Sequence, residues 1–286
     1  MNTIRTALLI SALTALFVAV GWIIGGASGM VVAFLMAAAM NAFAYWNADR
    51  IVLAMHGARP VDRASAAGLY QIVERLAARA GLPMPRVYLI ESQQPNAFAT
   101  GRDPQHAAIA ATTALIEMLS EEELAGVLAH ELSHVKHHDT LIMTITATIA
   151  GAIGMLVNLV FLFGSGNSRQ RPLGPFGGIL VALLAPVAAT LVQLAISRTR
   201  EYEADREGAE ICGHPLWLAD ALAKIDHGVR YFDNPTAEAN PATAHLFIVN
   251  PLHGRGLESL FATHPSIEDR IRRLRAMAGA SRGPWG

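Results

Sequence analysis

Hydrophobic positions along this chain fall into two patterns. Four runs are long and uncharged: residues 6–24, 30–46, 140–164 and 176–196. Elsewhere, apolar residues recur at helical or strand spacing inside polar sequence. The first two runs are each long enough to cross a bilayer, and only the GGASG of residues 25–29 separates them. They read as a membrane hairpin. A cleaved secretory leader is the competing reading of residues 6–24, and the second run following at once argues against it. Trp22, Tyr45 and Trp46 fall near the run ends, where interfacial aromatics concentrate. The other two runs flank a polar turn over residues 165–175 and read as a second pair of spans, with buried core helices as the alternative.

The polar segments carry shorter elements. Leu69, Ile72, Val73 and Leu76 recur at helical spacing within residues 64–81, and Gly81 and Pro83 stop that helix. Residues 86–90 read as a strand. Residues 95–101 read as a loop running into a second short strand. Residues 107–112 read as a third strand, which offers an edge to an extended peptide. Helices are expected over residues 113–119, 120–139, 200–212, 215–230 and 266–277, with a long irregular stretch over residues 231–263. The fold class is mainly α with a small β-sheet, an α+β arrangement. Residues 1–46 form a transmembrane hairpin, and residues 47–139 the first part of a catalytic domain. Residues 140–197 form a second transmembrane pair, and residues 198–286 the second catalytic part.

The helix over residues 120–139 carries His130-Glu131-Leu132-Ser133-His134, an HExxH pattern. Ser120 and Glu123 form a capping-box start, and Glu121 and Glu122 add negative charge where the helix dipole favours it. The segment contains no Gly or Pro after Val127, so the helix is expected to run unbroken to Asp139. His130 and His134 then lie one turn apart on one face, a spacing at which two neutral imidazoles grip one zinc ion. Glu131 is placed beside them as a general base toward water activated by that ion. The alternative is a surface helix with two solvated histidines.

A catalytic zinc takes three protein ligands. Glu201 and Asp205 are acidic residues at i and i+4 on the next polar helix. Glu201 could bind the ion, and Asp205 could accept a hydrogen bond from the outer N–H of a ligating imidazole. A solvated acidic face among Arg198, Arg200 and Arg206 is the other reading. Glu203 points off that face.

Composition supports a membrane setting: 52% of the chain is hydrophobic and 16% charged, too apolar for an ordinary soluble domain. A net charge of −1 gives no support for nucleic-acid binding. Cys212 is the sole cysteine, which excludes an intramolecular disulfide and a Cys-rich zinc site; it reads as an inert core residue. His130 and Glu201 can share an ion only on one side of the membrane, so an even number of spans must separate them. The two intervening runs satisfy this. Arg5, Arg50, Arg59, Arg63, Lys136, Arg198 and Arg200 flank the spans on that side, against Arg169 and Arg171 in the far turn. The positive-inside rule therefore places the site in the cytoplasm.

HELSHVKHHD from His130, EYEAD from Glu201, NAFATG from Asn96 and LFATHPSIEDRIRRL from Leu260 carry a resemblance over essentially the whole chain. The chain resembles the HtpX family of bacterial heat-shock membrane metalloproteases, and more distantly the C-a-a-X prenyl proteases. The resemblance implies Zn2+ as cofactor, Glu201 as third ligand and Asp205 behind a ligating histidine. It also implies a gluzincin-like zinc protease domain joined to about four transmembrane helices, multi-pass in a bacterial inner membrane and facing the cytoplasm. The implied role is endopeptidase cleavage of damaged or misfolded membrane proteins, in quality control and stress response. Its partners are then polypeptide substrates and the lipid bilayer.

Two residues are candidate donors to the oxyanion. His264 precedes Pro265, which fixes the entry to the closing helix; a cap or surface histidine is the alternative. Asn96 is similar in context to family residues near the substrate; a turn residue after Pro95 is its alternative. His137, His138 and His253 are set aside as ligands, the first two as interfacial. An intramembrane protease would place HExxH inside an apolar span, whereas three glutamates precede it here and KHHD follows. A non-catalytic adaptor would be favoured by loss of Glu131, which is present.

Overall fold

The computed structural model describes residues 2–148, 198–229, 243, 246–249 and 265–281. The second apolar pair therefore lies outside the described residues, apart from residues 140–148. Helix α1 spans Asn2–Met55 and is two arms joined at Gly25 and Gly26, whose backbone leaves helical geometry. Gly26 sits at φ 57°, a conformation glycine adopts at little cost. The arms fold onto each other: a Cβ on Gly21 would meet the Gly29 carbonyl oxygen at 2.5 Å, and Asn41 donates to Thr14 Oγ1 at 2.9 Å. The turn lies within the expected GGASG segment. The second arm runs beyond Trp46 to Met55, because Ala48, Val52 and Leu53 continue its buried stripe. Among the described residues one helix, Gly25–Met55, is long and apolar enough to cross a membrane.

The sheet has four strands, β1 (Arg59–Val61), β2 (Arg86–Ile90), β3 (Ala97–Thr100) and β4 (Ala108–Thr112), in the order β1-β2-β4-β3. Strands β1 and β2 are antiparallel, β2 and β4 parallel, and β4 and β3 antiparallel. The expected third strand is thus central. Strand β4 is hydrogen-bonded on both sides and offers no edge, and all five of its residues are buried. Its alanines are poor strand formers in isolation, but their small side chains let both faces be covered. The edges are β1 and β3, and β3 lies inside the segment expected to be mostly loop. Strand β1 is three residues long and had no alternation to reveal it.

Helix α2 (Ala67–Ala80) lays Leu69, Ile72, Val73 and Leu76 into the core and ends on Gly81 at φ 70°. A short α3 (Thr113–Met118) leads to α4 (Glu121–Lys136), which starts on Ser120 with both halves of the capping box made. The far end of α4 departs from expectation. It stops at a His137 cap, His138 takes φ 58°, and a new helix, α5, covers residues 139–148. The unbroken helix expected to Asp139 is therefore corrected. The turn is closed by His137 N–H to Ser133 O at 3.0 Å and His138 N–H to Val135 O at 3.2 Å. Among the described residues three further helices follow: α6 (Arg198–Cys212), α7 (Pro215–Val229) and α8 (Ile267–Ser281).

Helix α4 is the centre of the molecule, with every residue from Glu123 to Val135 buried. Two glycines set how closely its neighbours approach. A Cβ on Gly126 would lie 2.7 Å from the Leu218 nitrogen of α7. A Cβ on Gly208 of α6 would lie 2.8 Å from the His130 nitrogen. The sheet separates two cores by its period-2 alternation. Ala97, Ala99, Ile109 and Ala111 face the helices, whereas Phe98, Ala108 and Ala110 join Val52, Leu53, Ile142, Met143, Leu246 and Phe247.

Adding a methyl at either glycine forces helices apart against backbone atoms, at a cost of about 1–3 kcal/mol. Gly126→Ala is expected to lower thermal stability alone. Gly208→Ala is expected to lower it and to weaken zinc retention, because it lifts α6 from His130. Thermal unfolding beside metal analysis of the purified protein separates the two; full zinc content in Gly208→Ala would contradict this account of the packing.

Candidate metal centre and active site

Helices α4 and α6, in close contact at Gly208, bring together His130, His134 and Glu201, all buried. One ligand atom from each lies within 4.8 Å of the others. Nε2 of His130 is 3.8 Å from Glu201 Oε2, and Nε2 of His134 is 3.6 Å from Glu201 Oε1. Donors about 2.1 Å from a tetrahedral zinc are roughly 3.4 Å apart, so this set fits the ion with small adjustment. Both outer nitrogens are held by carboxylates: His130 Nδ1 lies 3.0 Å from Asp205 Oδ1, and His134 Nδ1 lies 3.1 Å from Asp139 Oδ2. That arrangement fixes each ring with Nε2 toward the ligand cluster.

Glu131 lies beside the triad, and its Oε2 accepts a hydrogen bond from the Ala99 N–H of β3 at 2.9 Å. Burial pushes its carboxyl up to about 7, a value suited to a base working near neutral pH. Burial also disfavours charge on His134, but the Asp139 hydrogen bond and the Glu201 and Glu131 charges outweigh it and lift that ring to about 9. Burial lowers His130 despite its bond to Asp205. Burial would raise Asp205, but the Arg270 guanidinium holds it down at about 2. Glu131, Met143, Leu246, Phe247 and Ile248 line, with the triad, a cavity of about 10 Å³, room for roughly one water.

The remaining candidates lie elsewhere. Asn96 is buried outside this lining: its Oδ1 accepts from the Ile248 N–H at 3.3 Å and its N–H donates to Thr112 Oγ1 at 2.9 Å. It bears on the site through the wall at residues 246–249. His264 lies outside the described residues. His137 pairs with Glu207 on the surface, away from the triad. Two partners of the site were missed. Asp139 reaches His134 only because the helix breaks at His138, for which the sequence carries no Gly or Pro signal. Arg270 is fully buried against Asp205, yet nothing local distinguishes it from its exposed neighbours Arg272 and Arg273.

Three converging ligand atoms with a buried base at their side are the equipment of a metal-dependent hydrolase of the HExxH type. Residues 63–278 match peptidase family M48, and the chain belongs to that family. Among solved structures it is similar to Ste24p of S. mikatae, with a TM-score of 0.50 and 19% identity over 96% of this chain. The chain spans 65% of the length of that protein, and at this identity the likeness concerns the fold alone.

Ligation needs a neutral imidazole, whereas His134 in the metal-free protein stays protonated until about pH 9. Zinc uptake at pH 8 is therefore expected to release about one proton per ion. Calorimetry in buffers of different ionisation enthalpy reads the number directly. A buffer-independent heat would remove the charged state assigned to His134.

Proposed function

We propose that this M48-family chain is an integral-membrane zinc endopeptidase of the HtpX-like branch, cutting damaged or misfolded membrane proteins from the cytoplasmic side of a bacterial inner membrane. The observation that carries the chemistry is the convergence of both Nε2 atoms on Glu201 beside a buried Glu131. Zinc held by His130, His134 and Glu201 would supply Lewis acidity toward the scissile carbonyl and the attacking water. Glu131 takes the proton of that water and passes it to the leaving amine. The Ala99 N–H keeps the Glu131 carboxylate aimed during both transfers. As a sheet edge next to α4, β3 would offer an extended peptide those main-chain groups that face away from β4, the Ala99 N–H being taken by Glu131. Recognition would then follow backbone exposure, the property that misfolded chains share.

The membrane setting is supported by the hairpin α1. Trp22, Leu35, Met36, Phe43 and Trp46 are each more than half exposed on it, an apolar surface that water does not tolerate at this extent. Stress response and quality control rest on the resemblance to HtpX, as does the cytoplasmic orientation together with the flanking positive charges.

Purified full-length protein is incubated with casein and with a detergent-solubilised membrane protein. Glu131→Gln is expected to retain zinc and to lose about 10²–10⁴-fold in cleavage rate. Glu201→Ala is expected to lose both zinc and cleavage. Equal cleavage by wild type and Glu131→Gln would refute the assigned base, and equal zinc content in Glu201→Ala would refute the third ligand.

A further inference from the structure

Arg270 is wholly buried, and its guanidinium is shared among several groups. Nε and Nη2 donate to Asp205 at 2.8 and 2.6 Å. Nη1 donates to the Ile248 carbonyl at 3.0 Å and lies 3.9 Å from Glu201 Oε2. Nη2 also lies 3.5 Å from both ring nitrogens of His130. Asp205 in turn holds His130 Nδ1. Arg270 is kept in register because α8 is pinned to α6, through Tyr202 to Asp269 and through Arg273 stacked 3.9 Å over the Tyr202 ring.

Ile248 lies within the segment 246–249, whose Leu246, Phe247 and Ile248 line the cavity. Both its backbone polar groups are taken by side chains. Arg270 binds the carbonyl, and Asn96, from the start of β3, accepts the N–H. Arg270 therefore touches two structures at once: the carboxylate that orients a ligand, and the wall that bounds the space for substrate. A planar fork with five donors can serve both; an ammonium of the same charge cannot.

Resting on the zinc-peptidase reading, we propose that Arg270 is a positioning residue. It locks His130, through Asp205, and the cavity wall at residues 246–249, through the Ile248 carbonyl, in one fixed relation. Ligand geometry and the width of the cleft are then set together by one side chain. Asn96 steadies the wall alone, from the sheet side, without touching the ligand set.

The test uses full-length protein in detergent. Loaded with Co2+, it reports ligand geometry in its visible d–d bands; loaded with zinc, it is assayed on casein for kcat and KM. Arg270→Lys keeps the charge and loses the fork. It is expected to shift the Co2+ bands, weaken zinc affinity about tenfold, lower kcat and raise KM. Asn96→Ala frees only the wall and is expected to raise KM with wild-type Co2+ bands. A folded Arg270→Lys protein with wild-type bands and zinc affinity overturns the proposal, and so do shifted bands in Asn96→Ala. Should Arg270→Lys fail to fold, Tyr202→Phe with Arg273→Gln, which releases α8 from α6 and leaves Asp205 and the triad unchanged, is read the same way: shifted bands support the lock, and wild-type bands overturn it. A wild-type protein that neither binds metal nor cleaves casein refutes the peptidase reading itself.

Discussion

The constraint on which this structure depends is the neutralisation of charge inside a buried helix interface. Glu131, Glu201 and Asp205 are buried at 3–4% exposure, with Asp139 beside them at 3%. A carboxylate in such a place is tolerated only when paired or protonated. Arg270 and Arg200 supply two fixed positive charges, on Asp205 and Asp139 respectively. Burial pushes the Glu131 carboxyl up to about 7, and against the effect of burial the Asp139 hydrogen bond with the Glu201 and Glu131 charges lifts His134 to about 9, so protons as well as guanidiniums offset the carboxylates among the described residues. A divalent ion held by the triad would add positive charge at the same point. The site's affinity for a cation is thus written into its charge balance as well as its ligand spacing.

That balance explains why the helix break at His138 matters. An unbroken α4 would carry Asp139 onward along its own axis. The turn at His137 and His138 instead starts α5 with Asp139 bound to His134 Nδ1, and Arg200 from α6 closes the other side of the same carboxylate. Each histidine of the triad therefore has its own carboxylate, and each of those two carboxylates its own arginine. The helices that carry them approach closely only because Gly208 presents no side chain to His130.

Much of this was legible in the chain, and the reason is local periodicity. Ser120, Glu123, His130 and His134 are related by spacings within one helix, so those pairs announce themselves; Glu201 and Asp205 share the one-turn spacing, but a solvated acidic face fits it equally, and only the family resemblance decided between the two. The hairpin was legible because Gly25 and Gly26 interrupt uncharged sequence. What stayed hidden depends on contacts between distant segments. Arg270 shares its composition and spacing with Arg272 and Arg273, and only packing decides that one is buried against Asp205 while the others face solvent. Strand β4 has alanines where strand formers are expected, and its central place follows from two neighbours that cover it. Asn96 sits in a turn-like sequence, and its engagement with Ile248 is visible only across 152 residues of chain.

The cavity wall connects this chemistry to the apolar hairpin α1. Leu246 and Phe247 belong to the core beyond the sheet, with Val52 and Leu53 from the last turns of α1 and Ile142 and Met143 from α5. Ile248 and Val249 belong to the core around α4. His56 packs between the Phe98 and Phe247 rings at 5.4 and 5.3 Å, and burial pulls its pKa down to about 4, so it stays neutral there. Four residues of wall are thus shared between a core that grows out of the apolar hairpin and one that holds the ligands. Phe247, Ile248 and Arg270 thus lie in one line of packed and hydrogen-bonded groups between the core at the end of α1 and the Asp205 carboxylate that holds His130. The end of the hairpin and the residues around the triad are joined through this short wall, although they are far apart in the chain.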